Sequence, residues 1–300
     1  MNINEIICES IDLAEHEPLV RKAVNSFISV LLKHVRDYVA STQDESMFMS
    51  YNQFMHALKQ QRDFVFLKYA NHAIRKIAKL EDINHEITVY IDTHTNSNAY
   101  ATLNVSDKGR LLGHKLAISE EFLSLLVQST LNSIWDIYQR MSGNKLVNVI
   151  NVYVQDPTVS KKVQRRVRDM SGTIIHEMVH VVQNDIQLVK KRRRMEYRSY
   201  LNPDAENFQQ NVRSNAMNFT HYMASPQEIT AFAHEAVLEI LEDPSDLDSS
   251  KIQQHVDSML KRQKVNLPEL KKYGVYQRYL KRVYQVLIQR LKTLKGRTGD

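Results

Sequence analysis

Thr173-Ile174-Ile175-His176-Glu177-Met178-Val179-His180-Val181-Val182-Gln183 sets H-E-x-x-H inside an apolar run. Residues four apart stand one above the other on a helix. The spacing therefore predicts that His176 and His180 offer ring nitrogens to one ion, with Glu177 beside them as a base. Ile174, Ile175, Met178, Val179, Val181 and Val182 surround the polar trio and predict a helix buried on most sides. An imidazole or carboxylate in an apolar interior is costly without a partner. A metal would serve, and so would an ordinary helix whose histidines bond each other or a backbone carbonyl.

Composition bounds what this helix belongs to. With 43% apolar and 25% charged residues the chain is that of an ordinary globular protein, and only 7 Gly and 6 Pro argue for long helices with few loops. Cys8 is the only cysteine. That excludes an intramolecular disulfide and any zinc site built from two or more cysteines, so a metal must rest on His and carboxylates. The opening Met1 to Asp12 lacks a basic start and an apolar stretch, and no segment approaches about 18 uninterrupted apolar residues. The expectation is an intracellular, cytoplasmic protein that does not enter a membrane.

Working outward, Val20, Val24, Phe27, Ile28, Leu31, Leu32 and Val35 recur at helical spacing, and the pattern resumes from Met47 to Leu80 through Phe54, Leu58, Phe64, Phe66, Ala70, Ile74 and Ile77. Residues 1–84 read as a helical N-terminal region. Glu86 to Asp92 and Ala99 to Val105 alternate at period two around a turn-like stretch, which predicts a β-hairpin. Lys115 to Ile118 reads as a third strand, and Ser119 as the N-cap of a helix through Tyr138. Leu146-Val147-Asn148-Val149-Ile150-Asn151-Val152-Tyr153-Val154 gives the strongest strand signal, either a sheet edge for an extended peptide or an interior strand. A basic helix and the H-E-x-x-H helix follow. Ser225-Pro226 opens another helix, stopped near Asp243-Pro244, and the remainder to Leu294 is helical and basic. The fold class expected is α+β and mostly helical, with cuts near 84 and 244 and a basic helical region at 244–300.

A catalytic zinc takes three protein ligands and keeps one position open, so a third His, Asp or Glu is required. The metzincin continuation is absent, since Gln183 and Ile186 stand where Gly and His are needed. Glu228, in Ser225-Pro226-Gln227-Glu228-Ile229-Thr230-Ala231-Phe232-Ala233-His234-Glu235, is the better third donor, although Ser225-x-x-Glu228 is also a capping box. Asp185 is rotated well off the histidine face; Glu235, two turns past Glu228, lies on its face and could stand behind a ligand.

E-I-T-A-F-A-H-E resembles the E-A-x-x-F-A-x-E stretch of the repressor-cleaving protease family. H-E-x-x-H-x-x-Q followed by P-x-E-I-x-A-F-A is similar to phage and viral peptidases, and a glutamate on a second helix is what gluzincin metallopeptidases carry. Ile229 departs from the Ala of the repressor-cleaving pattern. The resemblance implies a zincin-like core over 85–243 and a zinc site of His176, His180 and Glu228. With Glu177 as general base, it implies an endopeptidase acting on a protein or peptide substrate. An oxyanion donor is also needed. Tyr222 is taken for that role, with His221, His234, Tyr197 and Tyr200 the other donors nearby in sequence.

Net charge is +6 with pI near 9.2, gathered at Lys161 to Arg168, Lys190 to Arg194 and Lys281 to Arg297. Such runs suit acidic peptides or nucleic acid, or are solvated helix ends complementing the helix dipole. The competing function is a non-catalytic basic helical binding or virion-associated protein whose metal site is structural or vestigial. Oligomeric state is not readable.

Overall fold

The computed structural model describes residues 13–42, 51–95, 97–106, 111–140, 145–155, 160–192, 226–241, 248–262, 267–272 and 274–297. Their elements are mostly helical with one small sheet, as the α+β expectation requires. The chain divides into two compact units, 18–174 and 175–300 with 1–17. The expected cuts near 84 and 244 do not coincide with this division.

In the first unit, α1 (Glu17–Thr42) and α2 (Tyr51–Leu80) are both long helices. The α1 residues at 20, 24, 27, 28, 31, 32 and 35 are all buried, and Phe27 meets Phe66 of α2 edge to face at 5.3 Å. Among the described residues one member of the expected α2 stripe is on the wrong face. Phe64 is 71% exposed, whereas Arg62 is only 2% exposed and lies on the stripe with Phe66, Ala70, Ala73 and Ile77. Arg62 tolerates burial because its donors are satisfied: Nε to Asp63 Oδ1 at 2.6 Å, Nη1 to Ser124 Oγ at 2.9 Å and Nη2 to Glu120 Oε1 at 3.2 Å.

The strands are β1 (Glu86–Asp92), β2 (Ala99–Val105) and β3 (Leu111–Ser119). The expected hairpin does not form. Spatial order is β1-β3-β2, with β3 parallel to β1 and antiparallel to β2. The reason lies in β3, whose consecutive Leu116, Ala117 and Ile118 are fully buried and need cover on both faces, while β1 alternates exposed and buried residues and suits an edge. Gly113 makes the parallel pairing fit. Its φ is +154°, and a Cβ there would sit 2.2 Å from the carbonyl oxygen of Glu86, its register partner.

Ser119 caps α3 (Glu120–Arg140) as expected, its Oγ accepting from Phe122 N at 3.4 Å. The segment expected as the strongest strand is instead a helix, α4 (Leu146–Gln155). Leu146, Val149, Ile150 and Tyr153 are its buried residues, spaced three, four and seven apart. A helical period was present beneath the β-branched composition, and packing of that face overrode propensity. With no strand there, a peptide cannot pair with it as a sheet edge.

The basic helix and the H-E-x-x-H helix are one continuous element, α5 (Lys161–Arg192), with Ser160 Oγ accepting from Val163 N at its start. Lys161, Lys162 and Arg165 are exposed while Val163 and Val167 are buried. The side chains of Lys190 to Arg194 lie outside the described residues.

In the second unit, α5 from Ile175 is joined by α6 (Pro226–Ile240), α7 (Ser249–Arg262), α8 (Leu267–Lys272) and α9 (Val275–Arg297). Phe232, Ala233, Ala236 and Val237 of α6 share one core with Val256, Met259 and Leu260 of α7, Leu270 of α8 and Tyr276, Tyr279, Val283 and Leu287 of α9. The C-terminal region is therefore the bed on which α6 lies. Arg282 and Arg290 are buried within its last basic run. Among the described residues no helix is long and apolar enough to cross a membrane.

Candidate metal centre

Three side chains from two helices converge in the second unit. α5 presents His176 and His180 one turn apart on the same face, and α6 brings Glu228 from its first turn, directly after Pro226 at the first helical position. His176 Nε2 lies 3.3 Å from His180 Nε2, and each is 3.4 Å from Glu228 Oε2. The fully buried Ala231 and Ala233 keep α6 slim beside its neighbours. The capping alternative for Glu228 involves Ser225, which lies outside the described residues.

The triangle can be tested against a metal. A tetrahedral ion with bonds of about 2.0–2.1 Å separates its donors by about 3.3–3.4 Å, which is the spacing of all three pairs. As hydrogen bonds the same contacts are long, since N–H···O bonds peak near 2.9 Å. The donor set, two imidazoles and one carboxylate, suits zinc and other divalent transition metals.

Electrostatics say how the cluster holds together by itself. Burial alone would lower the His180 pKa, but the Glu228 carboxylate, with help from Glu177 and Gln183, pushes it up to about 9. Burial likewise raises Glu228, yet His180 and His176 win and hold it far below the usual carboxylate range. A proton on His180 thus supplies the positive charge that an ion would otherwise bring.

The outer nitrogens also have partners. His180 Nδ1 is 3.2 Å from Gln183 Oε1, and His176 Nδ1 is 3.8 Å from Glu235 Oε2. Glu235, two turns past Glu228, thus lies against the outer nitrogen of His176. In the sequence Gln183 closes H-E-x-x-H-x-x-Q and stands where a metzincin has Gly, and neither reading gives it a contact; its offset of three from His180 on one helix is the signal that places it. Phe232 packs its ring against His176 at 4.6 Å, and the Tyr279 hydroxyl donates to the Phe232 carbonyl at 3.2 Å.

Glu177 is 7% exposed and close enough to His180 to raise its pKa. Asp185 is buried but does not join the three donors. His234 is fully buried six residues beyond Glu228, about 240° around the helix and so turned from its face. Tyr222, His221, Tyr197 and Tyr200 lie outside the described residues. Compared with protein-family models, curated proteins and solved structures, the chain finds no match.

Proposed function

We propose that this chain is a metal-dependent endopeptidase of the gluzincin kind, in which His176, His180 and Glu228 hold a divalent ion, zinc by preference, and Glu177 is the general base. The observation that carries the reading is the donor triangle of 3.3, 3.4 and 3.4 Å, matched to a tetrahedral ion. When bound, such an ion supplies a Lewis acid that acidifies water and polarises a carbonyl. Glu177 takes the proton from the attacking water as its oxygen bonds the peptide carbon. The same carboxyl returns that proton to the amide nitrogen as the C–N bond breaks. Tyr222 is proposed as donor to the developing oxyanion, the substrate as a protein or peptide, and the setting as intracellular, in a phage- or virus-like context.

One observation favours a second reading. His176 and Glu228 are 6% and 9% exposed, an enclosure that also suits a structural ion in a basic helical binding protein. Metal analysis of protein purified without chelator, together with hydrolysis of a denatured protein substrate, separates the two. The peptidase reading expects about one zinc per chain and cleavage, both lost in His176→Ala and Glu228→Ala. Zinc without hydrolysis favours the structural ion, and a metal-free wild type removes both.

A further inference from the structure

Gln183 is the least expected polar residue in the second unit: it is 1% exposed, lies between Val182 and Asn184 on α5, and takes no part in the donor triangle. We propose that it is a positioning residue that fixes which nitrogen of His180 faces the metal, through the 3.2 Å contact of its Oε1 with His180 Nδ1. The inference rests on the metal-site reading above.

An amide oxygen only accepts, so Nδ1 must carry the proton and donate it. A neutral ring with its proton on Nδ1 has its lone pair on Nε2, which is the atom 3.3–3.4 Å from His176 and Glu228. The reversed amide would offer N–H to Nδ1, leave the proton on Nε2 and turn a ligand into a donor. The orientation is held at a cost, because Gln183 Nε2 is buried without a hydrogen-bond partner among the described residues. A residue selected only for packing in this apolar stretch would be Leu or Met and would carry no such cost.

The two histidines are therefore backed differently. His176 has the Glu235 carboxylate behind it, and His180 has a neutral amide one turn along its own helix. The 3.2 Å amide contact is within hydrogen-bond reach and the 3.8 Å approach of Glu235 is not, so it is the His180 ring that a hydrogen bond orients.

The test compares Gln183→Met, which fills the volume without an acceptor, and Gln183→Glu, which keeps one. Zinc affinity is read by competition with a chromophoric chelator, and stability by thermal unfolding of the metal-free proteins. Gln183→Met is expected to bind zinc about ten- to a hundred-fold more weakly while unfolding no earlier than wild type, and Gln183→Glu to keep wild-type affinity. A second reading needs no variant: in the cobalt-loaded wild type the shifted ring N–H resonance of His180 should exchange slowly with water. Met binding as tightly as Gln, Glu binding as weakly as Met, or a fast-exchanging His180 N–H overturns the proposal while leaving a zinc-binding wild type in place. A wild type that takes up no zinc fails the metal-site reading itself, and this inference with it.

Discussion

Two buried polar clusters, one in each unit, meet the cost of burial in opposite ways. Around Arg62 the donors of one guanidinium meet acceptors on Asp63, Glu120 and Ser124, and Lys59 Nζ adds a contact of 2.9 Å to Glu120. That cluster is complete with protein atoms alone. Around Glu228 two ring nitrogens and a carboxylate oxygen point at one another across 3.3–3.4 Å, and the set is balanced only when a positive charge stands among them. Complementary donors and acceptors make architecture; converging acceptors make a receptor for a cation.

The sharpest separation is catalytic. Glu177→Gln should leave zinc content unchanged and lower kcat by about a hundred- to ten-thousand-fold, measured on a peptide that wild type cleaves. No substitution in the Arg62 cluster should do this without also lowering stability. Next in size, Arg62→Ala should destabilise the first unit by about 3 kcal/mol in urea unfolding, the lower end for a broken buried pair, because Glu120 keeps Lys59 and some solvent. Chelation should be invisible there. In the second unit, removing an ion present at a hundred times its Kd should cost about 2.7 kcal/mol, seen as faster amide exchange in α6 with α3 unchanged.

The smallest effect concerns acid. Burial raises the Glu120 pKa, but Lys59 and Arg62 outweigh it and hold the carboxyl below its ordinary value. A depressed folded-state pKa contributes stability that is full above the unfolded value of about 4.3 and is lost as pH falls through the folded value. Glu120→Gln should therefore flatten the acid limb of the first unit by under about 1 kcal/mol. Equal acid sensitivity in the variant would show that the Arg62 cluster is not closed by charge.

The donor residues were legible because their signals are local or motif-like. His176 and His180 are legible from an offset of four on an apolar helix, and Glu228 from the resemblance of the stretch Glu228 to Glu235 to known peptidases. The order of the strands was not legible, since β3 enters between β1 and β2 through pairings that no stretch of sequence states. α4 was misread because Val, Ile and Tyr carry strand propensity while their spacing carries a helix, and only the surface they pack on decides. The burial of Arg62 and the contact of Gln183 with His180 escape the sequence for one reason. Each is a polar side chain on a buried face, and a pattern that sorts polar outward has no place for a residue that brings its partner with it.

The Tyr279 bond to the Phe232 carbonyl has a consequence for the order in which the chain is made. A nascent chain that has emerged through α6 already contains His176, Glu177, His180 and Glu228. It still lacks the tyrosines and valines of α9 against which α6 is seated. A polypeptide cut short before Val275 would carry every donor in its sequence and have no firm seat for the third, so metal uptake should wait on the synthesis of α9.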